Sequence, residues 1–345
     1  MATAIQYEMI RSELEEIVGE GNVSTRESDR LVYATDWFWI PQMWLDRGEQ
    51  PVKPDYIVHP GSTAEVAAIM SVANNFRIPV VPWGGGSGSQ GGAATVMGGI
   101  LMDMKRMNRI IEIDEKTLSV TAQAGINGQQ LEWALNEKGL TLPHYAASSN
   151  CATLGGYLAP RGSGTISTKY GKSEELVMSM QVVLPTGEII QTPNVPIHAA
   201  GPDYFHLFLG SEGVFGVITE ATLQVEYIPE TRLLRAMLFD DLTNALEAGR
   251  LMMTRRLEPM VIRLYDPTET ASRVQKILGY ELEGAYMVMG FDGDPDIAAL
   301  QEKKAMEICA ELGGQDLGRE PGEKWWNHRY DFYYPPKNLK FPWMY

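Results

Sequence analysis

The chain has 345 residues, of which 44% are hydrophobic and 21% are charged. At about 100 to 200 residues per domain, this length predicts two or three domains, and the composition excludes a short peptide module and a disordered chain. The 44 acidic residues outnumber the 29 basic ones and give a net charge of −15, which argues against a nucleic-acid partner, because that affinity rests on clustered lysines and arginines.

Neither the N-terminus nor any apolar run indicates export or a membrane anchor. Residues 1–21 follow a helical rhythm and lack the basic stretch, apolar run and cleavage site of a secretory signal. No run approaches the roughly 18 continuous apolar residues of a membrane-spanning helix. The two cysteines, Cys151 and Cys309, lie far apart without metal-ligand spacing. These features predict a cytoplasmic protein with no transmembrane segment.

Residues 1–50 are predicted to form an N-terminal helical extension, because apolar residues recur at helical spacing between residues 5 and 18. From Pro54 onward strands alternate with amphipathic helices. DYIVHPG is typical of a strand and turn, Ser62 or Thr63 of a helix N-cap, and IPVVPW of a buried strand. Three strand-like pieces, a helix and a hairpin with a Pro-Thr-Gly turn follow. This pattern predicts one domain over residues 51–229.

Residues 230–345 are predicted to form a second domain. The pattern is strand, helix, strand, strand, helix, which suits an antiparallel sheet with helices on one face. After Gly318 the run WWNHRYDFYYPP is aromatic and proline-rich and shows no terminal helix or strand. We therefore expect this substrate or cap domain to be incomplete at its C-terminal end.

The segment PWGGGSGSQGG, residues 82–92, directly follows the predicted buried strand. Glycines allow positive φ and let successive backbone N–H groups converge on an anion such as a pyrophosphate. The segment lacks the lysine of a P-loop and the G-x-G-x-x-G spacing of a Rossmann nicotinamide site. A flexible linker is the structural alternative, but linkers rarely follow so apolar a strand. The pattern favours a dinucleotide-binding loop.

Two further segments combine glycine with small polar residues. SSNCATLGGYLAPRGSG, residues 148–164, fits no amphipathic element, as expected where a flat cofactor lies against backbone. GSEGVFGVIT, residues 210–219, is a glycine turn that leads into a strand. Each segment alone is a weak signal, and the three in this order are a strong one.

Together the three segments resemble flavoproteins with the vanillyl-alcohol-oxidase, or PCMH-type, FAD-binding fold. PVVPWGGGSGSQGGA is similar to their pyrophosphate loop, ATLGGYLAPRGSG to a flavin-contacting stretch, and LGSEGVFGVITEATLQV to a later strand. The resemblance runs from about residue 54 to 229 and is nearest to alkylglycerone phosphate synthases and to glycolate-oxidase or D-lactate-dehydrogenase-like FAD-linked oxidases. It implies an α+β fold, with a two-lobed PCMH-type FAD-binding domain followed by a truncated, ferredoxin-like antiparallel-sheet cap domain.

The resemblance implies FAD contacts in all three segments. Ser87 stands where family members with covalent flavin have a histidine, which implies non-covalent FAD. The implied cofactor-binding residues are Pro82, Trp83, Gly84, Gly85, Gly86, Ser87, Gly88, Ser89, Ala146, Ala147, Ser148, Ser149, Asn150, Cys151, Ala152, Thr153, Gly155, Gly156, Pro160, Arg161, Gly162, Ser163, Glu212, Gly213, Gly216, Val217 and Ile218.

Arg263, in VIRLYD, matches the arginine with which the synthase branch holds the anionic group of its substrate. A guanidinium suits carboxylate and phosphate alike. The structural alternative is a salt-bridged arginine on a strand. The family's catalytic tyrosine and histidines lie in a C-terminal region that we expect this chain to lack, so no catalytic base is assigned.

No metal site is predicted, because the five histidines have no partners at metal-ligand spacing. His59, His198 and His206 fit surface or core positions. His144 precedes the second glycine-containing segment and could lie near the flavin ring. His328 belongs to the aromatic run, which could line a substrate channel or pack two domains together.

The resemblance predicts an FAD-linked oxidase or dehydrogenase that oxidises a small alcohol or 2-hydroxy acid by hydride transfer to flavin. One alternative is a transferase like alkylglycerone phosphate synthase, without net oxidation, which the VIRLYD match favours. Another is a flavin-binding subunit or fragment that is completed by residues outside this chain. The predicted partner is an anionic small molecule, and a homodimer is left open.

Overall fold

The computed structural model describes residues 4–195 and 199–332. The helices in these ranges are α1 (Ala4–Val18), α2 (Glu27–Val32), α3 (Trp39–Asp46), α4 (Thr63–Phe76), α5 (Gly128–Asn136), α6 (Leu154–Leu158), α7 (Ser167–Tyr170), α8 (Phe205–Phe208), α9 (Leu242–Thr254), α10 (Pro267–Glu269), α11 (Gln275–Leu278), α12 (Pro295–Glu311) and α13 (Arg319–His328). The strands are β1 (Val23–Ser24), β2 (Tyr56–Val58), β3 (Val80–Trp83), β4 (Ile100–Asp103), β5 (Ile110–Asp114), β6 (Ser119–Gln123), β7 (Leu140–Thr141), β8 (Val177–Val183), β9 (Ile189–Gln191), β10 (Val217–Gln224), β11 (Glu226–Tyr227), β12 (Thr231–Phe239), β13 (Val261–Tyr265), β14 (Ala285–Gly293) and β15 (Gln315–Gly318).

The first sheet has the strand order β1-β2-β4-β3, and both β2 and β3 run parallel to β4. Helix α4 connects β2 to β3 and begins where the sequence predicts, because the Ser62 hydroxyl accepts a hydrogen bond from the Glu65 amide at 3.2 Å. Its apolar face packs with α1 over the sheet. The strand β3 was predicted to be buried, but only Trp83 is, because β3 lies at the edge of the sheet.

The second sheet has the order β5-β6-β10-β8-β9, with antiparallel pairing throughout. The predicted hairpin is present, with Val183 opposite Ile189. One face of this sheet packs against α5 and α6 through Leu131 and Leu154. Val183 and Val217, at neighbouring ends of β8 and β10, pack instead into the core of the first sheet. The two sheets therefore meet near the residues that follow β3 and precede β10.

The last sheet has the order β13-β14-β12-β15 and is antiparallel. With α9 after β12 and α12 after β14, this is the strand order of a ferredoxin-like β-α-β-β-α-β unit. Helices α9 and α12 cover one face through Ala248 and Ile308. The opposite face, with Tyr265 and Tyr286, packs against α13 and against Ile166, which directly precedes α7. The predicted antiparallel sheet is therefore present.

The prediction of no helix or strand after Gly318 was wrong, because α13 follows it directly. The Trp325 indole donates a buried hydrogen bond to the Tyr265 hydroxyl at 2.8 Å, and Gly322 lies against the backbone of Arg235. Tertiary packing on β12 and β13 thus forms this helix, which local sequence pattern does not reveal. The short helices α10 and α11, with a π-helical turn between them, were also not predicted.

A buried charge cluster joins the last sheet to the helix α7. The Asp292 side chain, on β14, is fully buried and accepts hydrogen bonds from Lys169 at 2.9 Å and Tyr170 at 2.8 Å. Its second oxygen lies 3.4 Å from Arg232 on β12. The predicted boundaries at residues 50 and 229 stay predictions, although β1, which precedes the first boundary, pairs with β2.

Candidate functional site

A cleft of about 420 Å³ opens where the first two sheets meet. The residues after β3, those between β7 and α7, and those before β10 form its walls. Its volume lies within the usual range of cofactor and ligand pockets. All of the predicted cofactor-binding residues line it except Ser149, Asn150, Cys151 and Arg161. The fold thus brings together residues as far apart in the chain as Pro82 and Ile218.

Two glycines let the first and second segments touch. A Cβ atom on Gly84 would lie 2.4 Å from the Thr153 hydroxyl oxygen, and one on Gly85 would lie 2.0 Å from the Cys151 carbonyl oxygen. Gly86 has a φ of +65°, which favours glycine. Backbone therefore replaces side chains along this wall. A flat or elongated cofactor can lie directly against such a wall, so the residues fit a dinucleotide.

The backbone N–H groups of residues 85–90 donate no hydrogen bond to any other residue that the structure describes. The described lining contains no lysine or arginine, and Glu212 is its one carboxylate. An anion in this cleft would therefore be held by backbone N–H groups rather than by a cationic side chain. This arrangement fits the pyrophosphate of a dinucleotide.

The four remaining predicted residues lie outside the lining of the cleft. Asn150 and Cys151 border a neighbouring polar depression beside Lys105. The Ser149 hydroxyl donates to the Ala146 carbonyl oxygen at 2.7 Å. Arg161 donates hydrogen bonds to the carbonyl oxygens of Leu209 and His206 at 3.0 and 3.1 Å, and these bonds stabilise the segment before β10.

His144 lines the cleft and is 4% exposed. Its ring meets the Tyr157 ring edge-on at a centroid distance of 4.6 Å. Neither ring nitrogen has a hydrogen-bond partner among the described residues. Burial lowers the pKa of His144 to about 4, against a small opposing effect of Glu174. The imidazole is therefore neutral near pH 7 and offers one donor and one acceptor to a bound molecule.

We expect His144 to make the protein sensitive to mild acid. Its pKa is about 6.5 in the unfolded chain and about 4 in the folded one, so between these values the unfolded state binds more protons. Stability should fall as the pH drops from about 6.5 to 4, by up to roughly 3 kcal/mol. Urea unfolding of the wild type and of His144→Gln across this range measures the effect. A wild-type pH slope equal to that of the variant would contradict it.

A second cavity, of about 220 Å³, shares His144 and Tyr157 with the cleft. It lies between α5 on one side and the strand β12 and helix α13 on the other. The residues that line it are Gly128, Gln129, Glu132, Asn136, Leu142, His144, Tyr145, Ser149, Tyr157, Arg232, Trp326, Arg329 and Tyr330. The cavity thus places two arginines and one carboxylate, Glu132, beside the residues that it shares with the cleft.

The two arginines differ in their charge partners. Arg232 pairs with Asp292. The Arg329 guanidinium stacks on the Trp326 ring at 4.1 Å and donates to the Trp326 carbonyl oxygen and the Tyr330 hydroxyl at 2.6 and 3.2 Å. Its Nε is buried without a hydrogen-bond partner, and Arg329 forms no ion pair with a carboxylate of the described residues. Arg329 is therefore the better placed cation for an anionic ligand.

Arg263, the predicted anion-binding residue, is not among the described residues that line either cavity. It lies on β13, with its guanidinium 5.4 Å from the centre of the Tyr265 ring. The sequence did not single out Arg329, and the only signal was a basic residue inside the aromatic run. Met104, Ala124 and Tyr157, which also line the cleft, were likewise missed, because they resemble ordinary core residues.

The remaining histidines have separate surroundings. His59 lies 3.7 Å from the buried Asp103 carboxylate, while His206 and His328 contact Asp203 and Asp331. His198 lies outside the described residues. Across residues 4–195 and 199–332, no group of three or more His, Cys, Asp or Glu side chains is arranged to hold a metal ion. In the same ranges, no helix combines the length and the apolar character needed to cross a membrane.

Two family models match the chain. One, described as an FAD binding domain, matches residues 54–193, and the other, described as the C-terminal domain of FAD linked oxidases, matches residues 228–340. Together they confirm the prediction that FAD is the cofactor.

Similar proteins point to the same family. Alkyldihydroxyacetonephosphate synthase of Dictyostelium discoideum is 31% identical over 83% of this chain and 51% of its own length. A solved structure of an enzyme of that name is 29% identical with a TM-score of 0.84, over 95% of this chain and 64% of its own. Glycolate oxidase subunit GlcD of Bacillus subtilis is 31% identical over 87% of this chain and 63% of its own length.

The structure of p-cresol methylhydroxylase, 18% identical over 96% of this chain and 70% of its own, matches with a TM-score of 0.79 and shows the fold alone. The chain spans about half to two thirds of the length of the curated relatives named above. The predicted α+β fold, with a PCMH-type FAD-binding domain and an antiparallel cap sheet, is confirmed. The chain belongs to the FAD-linked oxidases with a PCMH-type FAD-binding domain.

Proposed function

We propose that this protein oxidises a small, anionic 2-hydroxy acid with non-covalently bound FAD. The observation that carries the proposal is the position of Arg329, a guanidinium without a carboxylate partner among the described residues, in a cavity that shares His144 and Tyr157 with the glycine-lined cleft. Arg329 is half-buried and its Nε lacks a hydrogen-bond partner within the described part of the chain, so a ligand of opposite charge can supply the bond that is missing. The similarity to a glycolate oxidase subunit supports the same substrate class.

The cofactor would occupy the cleft of about 420 Å³. The backbone of residues 84–89 would face its pyrophosphate, and the second segment would lie along the flavin. Bound FAD would supply the two-electron acceptor. No histidine or cysteine of this chain stands at the Ser87 position, which supports a dissociable cofactor. The roles of the individual cofactor-binding residues rest on this placement and on the family resemblance.

In the proposed reaction the substrate would lose the hydrogen of its carbinol C–H bond as hydride to the bound two-electron acceptor, and the proton of its hydroxyl group to solvent. A 2-oxo acid is the product. Arg329 would hold the substrate carboxylate, because a guanidinium forms paired hydrogen bonds with it. A pKa of about 4 makes His144 a weak base near pH 7. Its ring nitrogen is therefore proposed to orient the hydroxyl by accepting a hydrogen bond.

A transferase like alkyldihydroxyacetonephosphate synthase is the second candidate. The structural similarity to an enzyme of that name favours it, as does the VIRLYD motif that contains Arg263. Such an enzyme would also bind an anionic substrate. A flavin-binding subunit completed by further residues is the third candidate. A cytoplasmic location and a homodimer stay predictions.

Anaerobic mixing of the flavin-loaded protein with short 2-hydroxy acids tests the proposal. Bleaching of the visible flavin bands by glycolate or lactate, with formation of the 2-oxo acid, is the expected result. A flavin that stays oxidised with every 2-hydroxy acid, in a protein that forms an alkyl dihydroxyacetone phosphate, would favour the transferase instead.

A further inference from the structure

A buried carboxyl group lies behind the glycine loop in a segment that the FAD-binding model does not cover. The model match begins at residue 54, yet residues 36–38 contact the loop directly. The Trp37 amide donates to the Gly86 carbonyl oxygen at 2.9 Å, and the Phe38 ring fills the space next to Gly91. Asp36 precedes these two residues and is 5% exposed.

The two carboxyl oxygens of Asp36 have different surroundings. Oδ1 accepts a hydrogen bond from the Phe38 amide at 2.9 Å. Oδ2 is buried and forms no hydrogen bond of regular geometry with a described residue. Oδ2 lies near Gly88: a Cβ atom built on Gly88 would be 3.8 Å from this oxygen. A buried, half-satisfied carboxyl group thus stands against a residue that lines the cleft.

The surroundings of Asp36 offer no counter-ion from the loop. Residues 84–98 contain no ionisable side chain. The charged groups that contact residues 82–92 are Lys105, which donates to the Gly84 carbonyl oxygen at 3.3 Å and pairs with Asp103, and Glu212, which lies against Gly92. Farther along the chain, Asp55 lies beside Gly98. Burial raises the pKa of Asp36, and the backbone N–H groups of Phe38 and Ala93 lower it by less.

A negative charge on Asp36 would oppose a second negative charge brought into the loop. Two carboxylates, Asp36 and Glu212, then flank an anion-binding loop whose own contribution is backbone N–H groups. Of the two, Asp36 is buried and Glu212 is exposed, so repulsion at Asp36 is less screened. The least costly response is the binding of a proton by Asp36.

We propose that Asp36 takes up a proton from solvent when the glycine loop receives the pyrophosphate of FAD, so that an uncharged carboxyl group faces the phosphates. The inference rests on the proposed placement of FAD in the cleft. It makes residues 36–38 part of the cofactor site and couples cofactor affinity to pH. FAD affinity then falls as the pH rises, by up to about tenfold per pH unit between the pKa of Asp36 in the free protein and its higher pKa in the complex.

The experiment compares FAD dissociation constants of the wild type and Asp36→Asn between about pH 5 and pH 9. We expect the variant to lose the pH dependence and to bind FAD more tightly than the wild type at the upper end. Riboflavin, which lacks phosphate, should bind both proteins without this dependence. Asp46→Asn is the matched control, since Asp46 is exposed in the same N-terminal region.

Titration calorimetry of the wild-type protein with FAD, in two buffers with different ionisation enthalpies, measures the protons taken up on binding. This measurement does not require that any variant folds. We expect uptake of up to about one proton per FAD at pH values between the pKa of Asp36 in the free protein and its pKa in the complex. No proton uptake, or an Asp36→Asn slope equal to that of the wild type, would overturn the inference while leaving the FAD site intact. Failure of both proteins to bind FAD at any pH would instead overturn the proposed function.

Discussion

Gly85→Ala should weaken FAD binding by about 10- to 100-fold, because the new methyl group cannot be accommodated without separating two walls of the cleft. A Cβ atom at this position would lie 2.0 Å from the Cys151 carbonyl oxygen and 2.9 Å from the Ala152 Cα. Both are atoms of the main chain, so no side chain can rotate away. The second segment, which forms the opposite wall, must shift as a unit. Titration of the apoprotein with FAD, followed by flavin fluorescence, measures the loss.

Gly21→Ala is the matched control for this variant. No atom lies within 4 Å of a Cβ at Gly21, and its φ is not in the left-handed region. Its FAD affinity and melting temperature should equal those of the wild type. The melting temperature of Gly85→Ala separates a displaced wall from general unfolding. A folded Gly85→Ala protein with wild-type FAD affinity would show that contact between the two segments does not shape the cofactor site.

Arg329→Met should weaken the binding of oxalate, a stable mimic of a 2-hydroxy acid, by about 30-fold or more. The variant keeps an apolar side chain that can cover Trp326 but removes the guanidinium that has no carboxylate partner among the described residues. FAD affinity should change little, since Arg329 does not line the larger cleft. Oxalate-induced changes in the visible flavin spectrum give the dissociation constant, and the KM for an active 2-hydroxy acid should rise by a similar factor.

Arg263→Met discriminates between the two candidate anion-binding residues. Arg263 lies on β13 beside Tyr265 and outside the described lining of both cavities, so its replacement should leave oxalate affinity within about twofold of the wild type. Arg329→Lys should restore part of the affinity, because it retains charge but loses the planar fork. If Arg263→Met abolishes oxalate binding and Arg329→Met does not, the assignment suggested by the family resemblance is correct and ours is wrong.

Local sequence rules predicted the elements of the FAD-binding region well. The Ser62 cap, the hairpin with its Pro-Thr-Gly turn and the strands on either side of the glycine loop each depend on neighbouring residues. The helix α13 could not be predicted in this way. Its sequence REPGEKWWNH contains a proline and a glycine, and it is held by contacts with Arg235 and Tyr265, which are distant in the chain.

Prediction of the candidate site from the sequence is limited in the same way, because it depends on contacts between distant residues. Glycine-rich segments can be recognised from the sequence, because few other roles require so many residues without a Cβ atom. Arg329 and Asp36 cannot be recognised in this way, since their importance comes from burial and from missing partners, which are properties of the folded chain. His144 was indicated only by its position before the second segment. Arg263 was chosen from a motif, and the motif carries no information about which face of a cavity the side chain reaches.

The most direct test of the account is the visible absorption spectrum of the chain after incubation with FAD and gel filtration, recorded before and after acid precipitation. We predict flavin bands that elute with the protein and pass completely into the acid supernatant. A colourless protein after gel filtration would contradict the assignment of the cleft as an FAD site. Flavin that remains in the acid pellet would contradict the non-covalent attachment that Ser87 implies.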